Sequence, residues 1–259
     1  MVLNPSHITR LREVRNGFAI FGIGSAQDRR YGLIDRNGEI VVDARFRYAD
    51  FHRSDRQGTD LRYVKFQPED SDSSYHLFDT QTGAWIRIGS NRRPEPIIGH
   101  DGLFLTFRQG LAGIADNNGQ QIIPEIYAAI FRIGERFLVQ DPRTGKFGIR
   151  TSEGETAVPC ILAFDRIACD AGKVLARQAG EWFYVDDCGE RTANRPAIAL
   201  PGNVLGVNLY GDRICYYIPC RGKLRGLDDR ACGMLDAFGT ELLPPVWFVI
   251  SRLNGTHFS

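Results

Sequence analysis

Six cysteines and five histidines are the side chains from which this chain could assemble a metal site or a nucleophile, and their spacing argues for neither. The cysteines (Cys160, Cys169, Cys188, Cys215, Cys220, Cys232) contain no Cys-x-x-Cys, and no Cys/His pair stands at zinc spacing. Cys215 and Cys220 could meet Cys232 around a loop, but reduced thiols packed as small apolar groups are the expectation. His7, His52, His76, His100 and His257 stand apart from one another, and no motif sets a Ser, Cys or carboxylate beside any of them. Gly22-Ile23-Gly24-Ser25 lacks the third glycine of a nucleotide loop, and no βαβ pattern follows it. Asp116-Asn117-Asn118-Gly119 and Asp186-Asp187-Cys188-Gly189 are not followed by the bidentate carboxylate of a Ca²⁺ loop. No catalytic residue, cofactor or metal is therefore assigned.

Those Asp-rich turns belong to a repeat. Its best copies are Tyr31-Gly32-Leu33-Ile34-Asp35-Arg36-Asn37-Gly38, Ala112-Gly113-Ile114-Ala115-Asp116-Asn117-Asn118-Gly119 and Cys232-Gly233-Met234-Leu235-Asp236-Ala237-Phe238-Gly239. Weaker copies are Tyr75–Gly83, Phe147–Gly154 and Trp182–Gly189. In the Phe147 copy Arg150 stands at the Asp position, with one extra residue before the glycine. Anchors at 35, 79, 116, 150, 186 and 236 give intervals of 44, 37, 34, 36 and 50 residues. An apolar segment before the Asp and a β-branched one after the Gly predict a β-hairpin, whose Asp caps the turn and whose Gly takes positive φ. Pro124, Pro159 and Pro244 follow at equivalent places, where a missing N–H ends a strand or marks an edge. Further strands are expected after each proline, with turns at Gly134-Glu135 and Ala171-Gly172.

Four short strands per unit predict an all-β fold of about six repeated antiparallel β units, as a six-bladed propeller-like ring or an open β-solenoid array. Residues 1–259 are expected to form a single repeat domain. Both ends, Ile8–Phe21 and Val249–Ser259, resemble the tail of a unit, which suits either geometry. The phrase aromatic-Gly-apolar-apolar-Asp-x-x-Gly, followed by β-branched residues and Pro, resembles the WG-type β-repeats of bacterial proteins from about Tyr31 to about Ile250. The Trp of that family is replaced by Tyr31, Ala112, Phe147 and Cys232, while Trp182 keeps it without the Gly. The resemblance implies repeated β-structure and an interaction role, with no shared catalytic residues.

A net charge of +1, from 32 basic and 31 acidic side chains, supplies no drive toward nucleic acid. Met1–His7 is not a charged segment leading into an apolar run, so no signal peptide or membrane span is expected, and the cytoplasm is the expected compartment. Function is sought where the chain departs from its repeat. One departure is the acidic stretch Gln67–Ser74, and another is Asn91-Arg92-Arg93-Pro94-Glu95-Pro96. The strongest is the long interval before the last copy, which holds Tyr210, Tyr216, Tyr217, Arg221, Lys223, Arg225 and Arg230, residue types enriched at binding hot spots. These observations favour a non-enzymatic scaffold that binds another protein, such as a bacterial adaptor or a cognate inhibitor (an immunity protein) of a toxin or effector. The competing expectation is a carbohydrate-binding or carbohydrate-active β-propeller, with carboxylates and aromatics converging in a channel.

Overall fold

The computed structural model describes residues 8–52, 62–69, 75–86, 94–97, 100–219, 230–247, 252–253 and 257–258. The chain divides into two compact units, Met1–Glu125 and Ile126–Ser259. Among the described residues every regular element is a β-strand, and no helix is long and apolar enough to cross a membrane.

The first unit holds three antiparallel sheets. Sheet 1 is β1 (Ile8–Arg15), β2 (Phe18–Ile23), β3 (Arg30–Asp35) and β4 (Ile40–Phe46). Sheet 2 is β5 (Tyr48–Phe51), β6 (Tyr63–Gln67), β7 (His76–Asp79) and β8 (Ala84–Ile86). Sheet 3 is β9 (Glu95–Pro96), β10 (Leu103–Arg108), β11 (Leu111–Asp116) and β12 (Gln121–Tyr127), with the unit boundary inside β12. The second unit continues with sheet 4, β13 (Ala129–Ile133), β14 (Arg136–Gln140), β15 (Phe147–Arg150) and β16 (Thr156–Leu162). Sheet 5 has three strands, β17 (Arg166–Asp170), β18 (Lys173–Gln178) and β19 (Glu181–Val185). Sheet 6 is β20 (Gly206–Tyr210), β21 (Arg213–Pro219), β22 (Arg230–Leu235) and β23 (Glu241–Trp247), and a hairpin of β24 (Arg252–Leu253) and β25 (His257–Phe258) follows. Within every sheet the strands neighbour one another in sequence order, which is the meander of a propeller blade. The fold is thus all-β and built of six repeated antiparallel units.

Within each unit, successive sheets pack face to face. Ile20, Leu33 and Val42 of sheet 1 meet Ala49, Val64, Phe66 and Phe78 of sheet 2. The opposite face of sheet 2 gives Tyr63, Leu77 and Ile86 to Phe104 and Ala115 of sheet 3. Sheets 4 and 5 close over Leu138, Ile149, Val174 and Val185, and sheets 5 and 6 over Leu175, Trp182, Ile214 and Leu235. A central strand covered on both faces is continuously apolar rather than alternating, as the burial of β18 between sheets 4 and 6 shows.

The repeat's Asp sits at the turn from third to fourth strand. Asp35 Oδ1 accepts hydrogen bonds from the N–H groups of Asn37 and Glu39, at 2.8 and 2.9 Å. Asp116, Asp186 and Asp236 repeat this bond for bond. In sheet 4 the position belongs to Thr151, not Arg150. Thr151 Oγ1 accepts from Glu153 and Glu155, and Gly154 N–H donates to the Thr151 carbonyl at 3.0 Å. The anchor therefore moves by one residue and the expected extra turn residue disappears. The physical reason is that the turn needs a short side-chain acceptor, which Arg lacks. Arg150 instead donates to the Tyr127 hydroxyl and to Thr156. Pro124, Pro159 and Pro244 mark edges rather than ends, since each lies within the outer fourth strand of its sheet. A proline there removes a donor that another chain would otherwise pair with.

The turn bonds have a pH signature. The Glu39 N–H, followed by that of Asn37, holds the Asp35 carboxyl below the ordinary 3.8 against a smaller opposing effect of desolvation. The Thr240 N–H, followed by that of Phe238, does the same for Asp236. A carboxylate with a lowered folded pKa contributes stability above 3.8 and loses it as pH falls through the folded value. Carboxyl NMR titrations of Asp35 and Asp236 are expected to give midpoints below 3.8, and a midpoint at or above that value would mean the turns do not grip the carboxylates.

Candidate functional site

The glycine of the repeat lies on the third strand, and the register explains it. Tyr31 pairs with Phe46 but Leu33 with Val42, so β4 carries two extra residues opposite Gly32. Phe147↔Leu162 with Ile149↔Val158, and Cys232↔Trp247 with Met234↔Leu243, show the same bulge in sheets 4 and 6. In sheets 1, 3 and 4 the backbone of the fourth strand is pressed onto the glycine, while in sheet 6 the Tyr216 ring fills the space at Gly233. A Cβ on Gly113 would lie 2.7 Å from the Ile123 carbonyl oxygen, and one on Gly148 would lie 2.8 Å from that of Val158. Only a residue without a side chain lets the bulged strand pass.

Two sheets break this rule. Counting back from the turn, His76 occupies the glycine position in sheet 2 and Phe183 in sheet 5. In sheet 2 the described residues of the fourth strand, Ala84–Ile86, pair with Leu77–Asp79 in unbroken register. In sheet 5 it is reduced to two isolated bridges, Val185↔Arg191 and Trp182↔Ile198. Between those bridges the chain detours through Thr192–Ala197, tied by Thr192 N–H to the Tyr184 carbonyl at 2.9 Å and by Arg195 N–H to the Thr192 carbonyl at 3.2 Å. A ring in place of the glycine is incompatible with the pressed bulge, and in sheet 5 the strand opposite Phe183 is thrown outward. A depression opens beside each of these departures.

The sheet 2 cleft, of about 420 Å³, is lined by Arg45, Phe46, Pro68, Glu69, His76 and Trp85. Its aromatic wall is continuous: Trp85 lies 5.6 Å from Phe46 and 6.3 Å, edge to face, from His76. Phe66 and Phe78 back Trp85 at 5.5 and 5.3 Å, which fixes the indole. Burial, followed by the Arg45 charge, pushes the His76 pKa down, so the imidazole is neutral at pH 7. The Arg45 guanidinium lies 5.2 Å from the Phe46 ring. It is exposed and makes no ion pair among the described residues. Glu69 pairs with Arg30. The cleft thus offers a fixed indole, a neutral imidazole and an unspent guanidinium, which suits binding an apolar group next to an anionic one.

The residues singled out before the last repeat do not form one surface. Tyr216 is 2% exposed and its ring covers Gly233 in the core between sheets 5 and 6. Tyr217 and Tyr210 pack against the other cluster, around Cys215, Cys232 and Met234, and the Tyr217 hydroxyl accepts from Asn208 at 3.2 Å. Neighbouring residues of a strand point to opposite faces, so Tyr216 and Tyr217 are separated by the sheet itself. Arg230 is exposed at the start of β22, while Arg221, Lys223 and Arg225 lie outside the described residues. Of the acidic stretch, Pro68 and Glu69 line the cleft, and residues 70–74 lie outside the described residues, as do 91–93 of the Pro-rich stretch. Cys160, Cys188 and Cys215 are free thiols, and burial pushes Cys215 up to about 11, far from a thiolate at neutral pH. Cys220 lies outside the described residues. Asp186, Asp187 and Cys188 cluster on one exposed turn, where Asp186 has its turn-capping role. The signal that finds the cleft in sequence is the loss of the repeat glycine at His76.

No protein-family profile matches the chain, and no curated protein does. Among solved structures it is similar to a crystal structure of the eukaryotic initiation factor, with 10% identity over 92% of this chain and 66% of that one and a TM-score of 0.46. It is similar to Kluyveromyces lactis Hsv2 with 8% identity over 86% and 71% of the two chains and a TM-score of 0.42. It also matches the tricorn protease, at 16% identity and a TM-score of 0.34, covering 93% of this chain but only 26% of the protease. These values carry no argument about function, and the description of the fold rests on the sheets themselves.

Proposed function

We propose that this chain is a non-enzymatic repeat scaffold of the WG type that binds another protein, in the manner of a bacterial adaptor or a cognate inhibitor of a toxin or effector. The observation that carries the reading is the sheet 2 cleft, where Trp85 is held rigid by its neighbours and Arg45 has no ion pair among the described residues. Trp and Arg dominate the energetics of protein interfaces, above all when pre-organised. Support also comes from position, since the cleft lies where the repeat glycine is replaced and the exposed Arg45 takes no part in the core.

A carbohydrate partner is the second reading, favoured by the juxtaposition of an indole with Arg45 and Glu69 on one wall. Both readings are separated by one set of measurements. The chain is used as bait in extract from its native cell, the captured protein is purified, and direct binding is measured by calorimetry. Arg45→Glu changes an exposed residue and leaves the fold intact, and it is expected to weaken that binding at least about thirtyfold, as is Trp85→Ala. Unchanged affinity in both variants would sink the reading. Saturable binding to a defined oligosaccharide that Trp85→Ala abolishes, with no protein partner, would replace it with the second.

A further inference from the structure

Asn-Gly steps occur in the chain at Asn16, Asn37, Asn118 and Asn254, and the last lies outside the described residues. Such a step carries chemistry of its own. The glycine nitrogen, with no side chain beside it, can attack the carboxamide carbon of the preceding asparagine. The structure treats the three described steps differently. Asn37 and Asn118 sit in the repeat turns, where Gly38 N–H donates to the Asp35 carbonyl and Gly119 N–H to that of Asp116, each at 3.1 Å. The N–H groups of Asn37 and Asn118 donate to Oδ1 of the same aspartates at 2.8 and 2.9 Å. Asn37 Nδ2 donates as well, to Asp35 Oδ2 at 3.2 Å. In both turns the nitrogen that would attack is already tied, and freeing it costs a hydrogen bond.

Asn16-Gly17 joins β1 to β2 and has none of these ties. Both residues have positive φ, 50° and 80°, as a two-residue hairpin turn requires. Asn16 is exposed, and among the described residues neither its side chain nor the Gly17 N–H has a hydrogen-bond partner. The end of the hairpin is also lightly held. β1 carries one extra residue between Leu11 and Val14, so only the pairs Val14↔Ala19 and Arg15↔Phe18 stand between that bulge and the turn. A hairpin end closed by so few pairs opens locally at low cost, and opening frees the rotation about the Asn16 Cα–C bond that attack requires.

We infer that Asn16 is a self-modification site, converted by deamidation while Asn37 and Asn118 are protected by their turns. Hydroxide takes the Gly17 N–H proton, and the nitrogen bonds to Asn16 Cγ. The Cγ–Nδ2 bond breaks, Nδ2 takes a proton from water and leaves as ammonia, and hydroxide is regenerated. The resulting succinimide is opened by one water at either carbonyl, which leaves aspartate or isoaspartate at position 16. Nothing is oxidised or reduced.

The test incubates the folded protein at pH 7 and pH 9, with a parallel sample kept in urea. Peptide mapping by mass spectrometry follows the conversion of amide to acid at each step. In the folded protein Asn16 is expected to convert at least about tenfold faster than Asn37 and Asn118, and faster at pH 9 than at pH 7. In urea the three rates are expected to come together, because the local sequence is then all that distinguishes them. Asn16→Gln lengthens the side chain beyond the five-membered ring and is expected to abolish conversion at this position. Equal folded rates at the three steps, a rate at Asn16 indifferent to pH, or an Asn16 that converts in urea and stays intact in the folded protein would each overturn the assignment.

Discussion

Asp79→Ala is expected to lower the stability of the first unit by about 2–3 kcal/mol, because it removes the buried carboxylate that both holds Arg62 and caps its turn, leaving the guanidinium to the exposed Asp101. Asp79 is 2% exposed, and its carboxylate takes the Arg62 Nε at 3.0 Å and the Nη2 at 2.7 Å. It also accepts from the Gln81 N–H at 2.9 Å, so the same carboxylate forms the turn of its repeat. Arg62 reaches on to Asp101 at 3.0 Å, but that carboxylate is 91% exposed. Asp101→Ala should therefore change stability by no more than about 1 kcal/mol. Burial pushes the Asp79 pKa up, and the Arg62 hydrogen bonds, with those from Gln81 and Thr82, outweigh it and leave the pKa lowered. The stability it contributes is thus present above 3.8 and is lost as pH falls through the folded value. Urea unfolding at pH 7 and pH 3, followed by the NMR resonances of first-unit residues, checks both points. A loss under about 1 kcal/mol in Asp79→Ala, or a wild-type midpoint indifferent to acid, would show that the pair does not matter.

Pairs of this kind mark the boundary of what the chain reveals by itself. The Asp-x-x-Gly turns, the six units and the edge prolines follow from local chemistry, because a turn is made by residues within five positions of one another. Thr151 was hidden by its neighbour. Arg150 attracts attention as the charged residue in line, whereas the turn selects for a side-chain oxygen. The opposite placement of Tyr216 and Tyr217 was legible in the period of a strand, and grouping them by composition ignored it. The sheet 5 depression was not legible from its own residues, since it depends on the fit between residues on two strands. What the sequence did display was the missing glycine at His76 and Phe183, whose meaning depends on the register opposite it. Arg62 and Asp79 belong to different strands and loops, and nothing in their spacing announces the pair.

Gly148→Val is expected to destabilise the second unit by about 3 kcal/mol, the upper part of the range for overpacking, because the obstruction is backbone that cannot rotate away. Even Gly148→Ala places a Cβ 2.8 Å from the Val158 carbonyl oxygen and 2.9 Å from the Cys160 nitrogen. Gly206 supplies the control on another strand of the same unit. A Cβ there meets only the Tyr217 ring at 3.7 Å, so Gly206→Ala should stay within about 0.5 kcal/mol of the parent. Chemical denaturation of the three variants decides between two accounts of the glycine. If Gly148→Ala is as mild as Gly206→Ala, the bulge does not require the glycine, and the link between its loss and the sheet 5 depression fails. If Gly148→Ala is severe, a ring at this position forces the fourth strand away. Phe183 is then the residue that opens sheet 5 at its outer edge.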